Sequence, residues 1–134
     1  MTAKPVSNKR AAGRAGEDDA AEYLAGRGYR VLYRNFRYGR YGEIDIIALA
    51  GGVVCFVEVK SRSGDAFGTP AEAVGYAKRN KILAVANHFL RVGGLGANKL
   101  RFDVVEVYYD KGDRAGDARK PVKIRHIENA FGES

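Results

Sequence analysis

The chain has 134 residues, which fits one domain with a hydrophobic core and excludes two domains. Its 46% hydrophobic and 29% charged residues are ordinary for a soluble globular protein. A formal net charge of +7 favours a polyanionic partner, with nucleic acid ahead of a membrane surface, although a basic surface also serves solubility. The single cysteine, Cys55, excludes an intramolecular disulfide, and with two histidines it cannot complete a usual structural zinc site.

Residues 1–13 predict a flexible basic arm, because Lys4, Lys9 and Arg10 precede every acidic residue. A solvated terminus without a partner is the alternative. The segment has no apolar stretch of the secretory type, and no window has the length of a membrane span. The cytoplasm is therefore the expected location.

Residues 14–129 predict a single domain, followed by a C-terminal tail over 130–134. Periodicity and turn signals predict elements in the order α-β-β-β-α-β-β. They are a helix over 14–27, strands over 29–37, 43–50 and 53–60, a helix over 69–91, and strands over 101–109 and 121–129. The order predicts an α/β sandwich with a central mixed sheet.

The first helix carries an acid on its apolar side. Ala20, Ala21 and Leu24 form the stripe that should pack against the sheet, and Glu17 falls on the same stripe. An acid in the first turn also complements the helix dipole, which is the alternative explanation. If this helix covers the appropriate face of the sheet, Glu17 can reach a site there.

The second helix has a strong start signal, in which Thr69 caps, Pro70 takes the first helical position and Glu72 completes a capping box. Lys78 follows on the apolar side of this helix. A lysine in that position must extend its ammonium to the surface or find an anion.

Gly51 and Gly52 join two strand-like segments and predict a two-residue hairpin loop, in which Ala50 pairs with Val53. One face of this hairpin then carries apolar side chains directed into a core: Ile44, Ile46, Cys55, Val57 and Val59.

The other face of the hairpin carries four charged residues. The register predicts Asp45 opposite Glu58 and Glu43 opposite Lys60. Directly opposed side chains have Cβ atoms about 5 Å apart. Two carboxylates there repel by roughly 3 kcal/mol at an effective dielectric constant of about 20. Either one carboxylate keeps its proton or a hard cation lies between them. A solvated amphipathic strand is the alternative, but it gives no reason for opposed acids.

These blocks resemble known proteins. An aspartate followed by Glu-x-Lys on the next strand resembles the active site of PD-(D/E)XK nucleases. The stretches GEDDAAEYLAGRGYRVL, GEIDIIA, FVEVKSR and FG-P-EAV, with the asparagine of YRNFR, resemble the bacterial YraN family over roughly residues 13 to 109. That family resembles archaeal Holliday-junction resolvases in predicted fold, so the resemblance implies a restriction-endonuclease-like sandwich.

The resemblance also implies roles for individual residues. Asp45 and Glu58 match the metal-binding carboxylates, Lys60 matches the catalytic lysine, and Glu17 matches an acid on the first helix of related resolvases. Glu43 belongs to the family motif. Two further cations match positions where phosphate contact is expected: Arg62 and Lys78.

The expected chemistry is hydrolysis of a phosphodiester with Mg²⁺ or Mn²⁺, held by Asp45, Glu58 and the carbonyl of Val59. Neighbouring carboxylates should keep Lys60 protonated, so its expected work is to position water and stabilise charge in the transition state. Further residues are candidates to follow a nucleic-acid backbone or to stack on a base: Arg34, Arg37, Tyr38, Arg40, Tyr41, Arg79 and Lys81.

The leading hypothesis is therefore a metal-dependent endonuclease that acts on DNA ahead of RNA, including branched or otherwise structured DNA. The alternatives are a nucleic-acid-binding module that does not cleave in the cell, and a structural protein with an incidental basic surface. A junction resolvase needs two sites, which raises a homodimer, but no stretch of the sequence identifies an interface.

Overall fold

The computed structural model describes residues 8–63, 76–110 and 121–130, and its elements follow the predicted order α-β-β-β-α-β-β. The elements are α1 (Asn8–Gly26), β1 (Arg30–Arg37), β2 (Glu43–Ala50), β3 (Val53–Ser63), α2 (Tyr76–Val92), β4 (Lys99–Tyr109) and β5 (Lys123–Ile127). A short 3-10 turn, Gly39–Tyr41, links β1 to β2.

The five strands form one sheet in the order β1-β2-β3-β4-β5. Strands β3 and β4 are parallel, whereas the other neighbouring pairs are antiparallel. Parallel neighbours need a crossover connection, and α2 lies in that connection. The prediction of a mixed sheet is confirmed.

The two helices cover opposite faces of the sheet. One buried cluster joins α1 to the sheet: Ala20, Leu24, Ile46, Ala48, Cys55, Val57, Val105, Val107 and Tyr109. A second cluster joins α2 to the other face: Ile44, Ile47, Val54, Phe56, Val85, Ala86, Phe89 and Leu90. Because successive strand residues point to opposite faces, central strands such as β3 are apolar on both sides.

Several element bounds differ from the predicted ones. Helix α1 begins at Asn8, so residues 8–13 are helical and not part of an arm. The lysine, arginine and alanines there have high helix propensity, which explains the extension. Strand β3 continues to Ser63 because its parallel pairing with β4 persists to the Ser63–Tyr109 pair. The predicted capping box at residues 69–72 lies outside the described residues.

The hairpin between β2 and β3 is the one that the sequence predicts. Gly51 and Gly52 have φ angles of 56° and 80°, the left-handed values that a two-residue hairpin loop of this kind requires. Ala50 pairs with Val53, and the described register continues to the Ile46–Val57 pair.

Helix α1 packs closely on β3 at Gly16. A Cβ atom at Gly16 would overlap the hydroxyl oxygen of Ser61 and contact the side chain of Val59. The absence of a side chain therefore lets the helix approach the strand, and it brings Glu17 to the sheet. Neither helix, over the residues described, is long and apolar enough to cross a membrane.

Candidate active site

The two-residue alternation of β2 is interrupted at Asp45. Ile46 packs with Cys55 and Val57 in the cluster under α1, as predicted. Ile44 packs in the cluster under α2, so the prediction that Ile44 and Ile46 share a face is wrong. The strand therefore changes face between these residues, and Asp45 lies at the change.

Strand β1 changes face at the same level, because Arg34 lies near Glu17 of α1 whereas Phe36 packs in the cluster under α2. Arg34 pairs with Ile46 and Phe36 pairs with Ile44, and Asn35 between them has a φ of 55°. Asparagine adopts this left-handed conformation more readily than most residues. The break in β1 thus has a residue suited to it, and it matches the break in β2.

The Asp45 carboxylate occupies the gap that the break creates. Its Oδ2 atom accepts a hydrogen bond from the backbone N–H of Val59, at 2.8 Å. Because the N–H and C=O of one strand residue point to the same neighbouring strand, the Val59 carbonyl also faces this side. The described pairing of β2 and β3 ends at Ile46, so the predicted side-by-side opposition of Asp45 and Glu58 is replaced by a side chain that reaches the partner backbone.

Asp45 lies in an unfavourable electrostatic environment. Desolvation by burial is the largest influence and raises the pKa of Asp45, whereas the hydrogen bond from Val59 lowers it. Neighbouring carboxylates raise it further: those of Glu17, Glu58 and Glu43. The resulting pKa of Asp45 is about 6, against an ordinary value of 3.8.

Glu17 belongs to the same acidic group, although it comes from α1. Burial raises the pKa of Glu17, while the side-chain hydrogen bond with Asn35 and the charge of Arg34 act to lower it. The Arg34 Nη2 atom lies 3.8 Å from Glu17 Oε1. The structure therefore brings the helix acid to the strand acids, with Asn35 fixing its side chain.

Glu43 lies at the exposed rim of this group. It pairs with Arg37 across β1 and β2, and the Arg37 Nη1 atom lies 3.6 Å from Glu43 Oε2. The predicted cross-strand pair of Glu43 with Lys60 is thus replaced by a contact on the other side of β2.

A cavity of about 190 Å³ opens between this end of the sheet and α2. Its polar wall contains Glu43, Asp45, Glu58 and the exposed Lys81. Its apolar wall comes from both layers: Ile44, Phe56, Ile82, Val85 and Phe102. A group bound in this cavity would contact the acidic side chains while the cavity walls shield it partly from bulk water.

Aromatic rings flank the cavity. Tyr38 stacks on His88 with ring centroids 3.8 Å apart, and Tyr41 stacks on Tyr38 at 5.2 Å. Tyr38 is thus held by packing against His88 and Tyr41, although it was a candidate to stack on a base. Tyr41 is 42% exposed and lines the cavity, and Arg40 is exposed in the same turn.

The predicted cations lie farther along the sheet and on α2. Lys60 is partly buried and pairs in register with Glu106 of β4. The Arg62 Nη2 atom lies 3.6 Å from Glu106 Oε2. The side chain of Lys78 lies outside the described residues.

Sequence reasoning missed two residues. Asn35 shapes the break in β1 and bonds Glu17, and Glu106 is a fully buried carboxylate beside Lys60. The signal for Glu106 was present, because an acid inside the apolar run of a central strand needs a partner. Asn35 entered the sequence analysis only as part of the family resemblance, because a polar residue in a strand does not by itself predict a structural role.

The acidic group around Asp45 is the candidate site for the predicted metal ion. No group of three or more His, Cys, Asp or Glu side chains suited to a metal ion occurs in the part of the chain that the structure describes. The oxygen donors of Asp45, Glu58 and the Val59 carbonyl are nevertheless the type that hard divalent cations prefer, with water completing the shell. A cation there would also offset the mutual repulsion of the acids.

Comparisons with known proteins give a consistent family. The model of the uncharacterised protein family UPF0102 matches residues 16–107. A UPF0102 protein of Acetivibrio thermocellus is 46% identical over 125 residues, covering 93% of this chain and 94% of the relative. A UPF0102 protein of Symbiobacterium thermophilum is 47% identical over 122 residues, with 91% and 97% covered. One of Rhodococcus opacus is 40% identical over 126 residues, with 94% and 100% covered. The chain belongs to the UPF0102 family.

Proposed function

We propose that this protein is a metal-dependent endonuclease that hydrolyses phosphodiester bonds of nucleic acid, with DNA as the expected substrate. The proposal rests on one observation above all. The Asp45 carboxylate accepts the Val59 N–H at 2.8 Å. Its desolvation by burial and the charges of neighbouring acids raise its pKa to about 6, in spite of that hydrogen bond. A divalent cation relieves such a cluster more fully than a single proton does.

Asp45 and Glu58 are the residues that hold Mg²⁺ or Mn²⁺ in this proposal, with the Val59 carbonyl as a third donor. The bound ion supplies charge stabilisation at the phosphate and a more acidic water. Glu17 extends the acidic group from α1, and Asn35 keeps its side chain oriented towards the sheet.

Lys60 follows Glu58 on the same face of β3, since alternate strand residues share a face. Its ammonium orients the attacking water and stabilises negative charge on the phosphate oxygens. The exposed Tyr41 and Lys81 at the cavity contact the nucleotide next to the reacting phosphate.

The basic composition of the chain supports a nucleic-acid substrate. The net charge is +7, Lys81 lines the cavity, and Arg34 and Arg37 lie near Glu17 and Glu43. Contacts from lysine and arginine to phosphates provide affinity without sequence readout. Recognition of DNA shape, including branched DNA, is compatible with such a surface.

A second candidate is a nucleic-acid-binding module that does not cleave. The observation that favours it is the lack, over the described ranges, of a three-side-chain metal group. The same basic surface supports binding in both candidates, so only a cleavage measurement separates them.

The test is cleavage of labelled duplex, single-stranded and four-way-junction DNA, and of RNA, with Mg²⁺ or Mn²⁺. The wild type is compared with Asp45→Asn and Lys60→Ala. We expect metal-dependent cutting that falls at least about 100-fold in both variants. Chelation with EDTA should abolish it.

Two matched control variants test whether loss of a charge away from the site also reduces cleavage. Glu22→Gln removes an exposed acid of α1, and Lys99→Ala removes an exposed lysine at the start of β4. Both should cut like the wild type. If the wild type binds nucleic acid but leaves every substrate intact with both metals, the endonuclease proposal is wrong and the binding module stands.

A further inference from the structure

Glu106 is a buried carboxylate with an unusual set of neighbours. Its side chain is fully buried, and within the described ranges neither of its oxygens has a hydrogen-bond partner. The nearest cations are Arg62, whose Nη2 lies 3.6 Å from Oε2, and Arg125, whose Nη1 lies 3.8 Å from Oε1. The carboxylate thus lies between two guanidinium groups, one on each neighbouring strand.

The sheet register concentrates positive charge around this carboxylate. Glu106 pairs with Lys60 on β3 and with Arg125 on β5. Arg62 follows Lys60 by two residues, so it lies on the same face and about 6.7 Å farther along the strand. Two pairs farther along the same strands, the Nζ atom of Lys123 lies 5.7 Å from the ring centroid of Tyr108.

These ion pairs are looser than a structural salt bridge in the same sheet. Arg101 donates two hydrogen bonds to Asp103, each 2.8 Å long. The guanidinium nitrogens of Arg62 and Arg125 instead lie 3.6 Å and 3.8 Å from the Glu106 oxygens. These distances are within the range of an ion pair but longer than a hydrogen bond. The Nε and Nη2 atoms of Arg62 are buried and have no hydrogen-bond acceptor among the residues that the structure describes. Glu106 therefore does not use the donors of either arginine.

The energetics favour binding of an anion by these arginines. A buried carboxylate costs several kcal/mol unless it is paired and hydrogen-bonded. Arg62 and Arg125 flank this carboxylate, and Lys60 pairs with Glu106 in the sheet register, so positive charge exceeds negative charge among these four residues. An anion with several oxygens satisfies such guanidinium donors, whereas Glu106 alone does not.

We propose that Arg62 and Arg125 form a phosphate-binding site next to the candidate active site, and that Glu106 positions both guanidinium groups. The site takes a phosphodiester group of the nucleic-acid strand that runs beyond Lys60. The identity of this anion rests on the proposed function. Arg125 becomes a contact residue, and Glu106 is a positioning residue that does not touch the ligand.

The alternative is that Glu106, Arg62 and Arg125 form a purely structural ion triad. The two explanations predict opposite changes in the affinity of Glu106→Gln for nucleic acid. Glu106→Gln makes the protein more positive by one charge. A charge effect alone predicts tighter binding of nucleic acid. Loss of positioning predicts weaker binding in spite of the added charge, because the arginines lose the group that orients them.

The test measures binding of fluorescein-labelled single-stranded and duplex DNA by anisotropy in EDTA, at NaCl concentrations from about 50 to 200 mM. We expect Arg125→Gln to reduce the slope of log K against log salt by about 0.7 for single strands and about 0.9 for duplex. Arg91→Gln, which removes an exposed arginine at the end of α2, should leave the slope unchanged. Glu106→Gln should weaken binding about 3- to 10-fold, the size of one lost charged contact.

Wild-type slopes in Arg125→Gln, or tighter binding by Glu106→Gln, would overturn the inference. If Glu106→Gln does not fold, as judged by circular dichroism, the slope of Arg125→Gln decides. Because binding is measured without metal, a failure of cleavage alone leaves this site standing. A wild type that binds neither DNA substrate overturns both proposals.

Discussion

Two aspartates of this protein, the buried Asp103 and the half-buried Asp45, lie in opposite environments. Asp103 accepts hydrogen bonds from Arg101, from His126 Nε2 at 2.8 Å and from the backbone N–H of Asn129 at 3.0 Å. Desolvation acts to raise the pKa of Asp103, but these donors outweigh it and hold the pKa at about 2. Asp45 receives one backbone hydrogen bond among other acids, and its pKa is about 6.

The difference in environment indicates that the charge of Asp103 stabilises the fold, whereas the charge of Asp45 destabilises it. The donors of Asp103 come from β4, β5 and the turn that follows β5, so its charge ties these segments together. The neighbours of Asp45 repel it, and no gain in stability explains their collection at one place. Carboxylates with raised pKa values beside a cavity mark functional sites more often than structural ones.

Removal of the Asp103 charge should give the largest loss of stability. Asp103→Asn places an amide NH₂ against donors and removes the buried carboxylate that accepts two hydrogen bonds from Arg101, so the free energy of unfolding should fall by about 3–5 kcal/mol. Urea denaturation measures this change. The matched control is Asp18→Asn, which breaks an exposed contact with Arg34 and should cost less than about 1 kcal/mol. Equal losses in both variants would contradict the comparison.

The same substitution at Asp45 should act in the opposite direction. Asp45→Asn keeps an oxygen for the Val59 N–H and removes the repulsion, so we expect the free energy of unfolding to rise by about 1–3 kcal/mol at pH 7 without metal. Cleavage should be lost in the same protein. A destabilised Asp45→Asn would show that the Asp45 charge supports the fold.

The pH dependence of this effect follows from the sign of the shift. The folded-state pKa of Asp45, about 6, exceeds its ordinary 3.8, so the wild type loses stability relative to Asp45→Asn as the pH rises from about 4 to about 6. For Asp103 the folded-state pKa is the lower one, so its stabilisation is present above pH 4 and is lost as the pH falls towards 2. Urea titrations at several pH values in EDTA should show these opposite trends.

The smallest expected effect concerns Asn35. Asn35→Ala loses the hydrogen bond with Glu17 and places alanine, which tolerates the left-handed region less well than asparagine, at a φ of 55°. The free energy of unfolding should therefore fall by about 1 kcal/mol. Asn35→Gly loses the same hydrogen bond without the backbone strain and should be close to neutral in stability. Both variants should cut more slowly if orientation of Glu17 matters. Thermal melts and cleavage rates together separate strain from orientation.

The element order, the mixed sheet and the hairpin could be predicted because their signals are local. The Gly51-Gly52 pair fixes a register from its own φ angles, and alternating apolar residues define the strands around it. The buried state of Cys55 followed from the same alternation, and burial raises the pKa of its thiol to about 11, so it stays neutral.

The detailed site could not be predicted, because it depends on breaks in that alternation. A strict two-residue period places Ile44 with Ile46, but paired irregularities at Asn35 and Asp45 turn β1 and β2 together. The role of Glu106 depends on which strands flank β4. That neighbourhood depends on a parallel pairing between segments distant in the chain, which no short motif encodes.

The hydrogen bond between Asp45 and Val59 makes one backbone amide a direct spectroscopic reporter of the site. A carboxylate oxygen, and not a strand carbonyl, accepts this N–H, so the ¹⁵N and ¹H resonances of Val59 should respond to the protonation of Asp45 and to any cation that binds it. An amide of the central sheet thereby records events at the cavity, in a protein small enough for every other amide to serve as its reference.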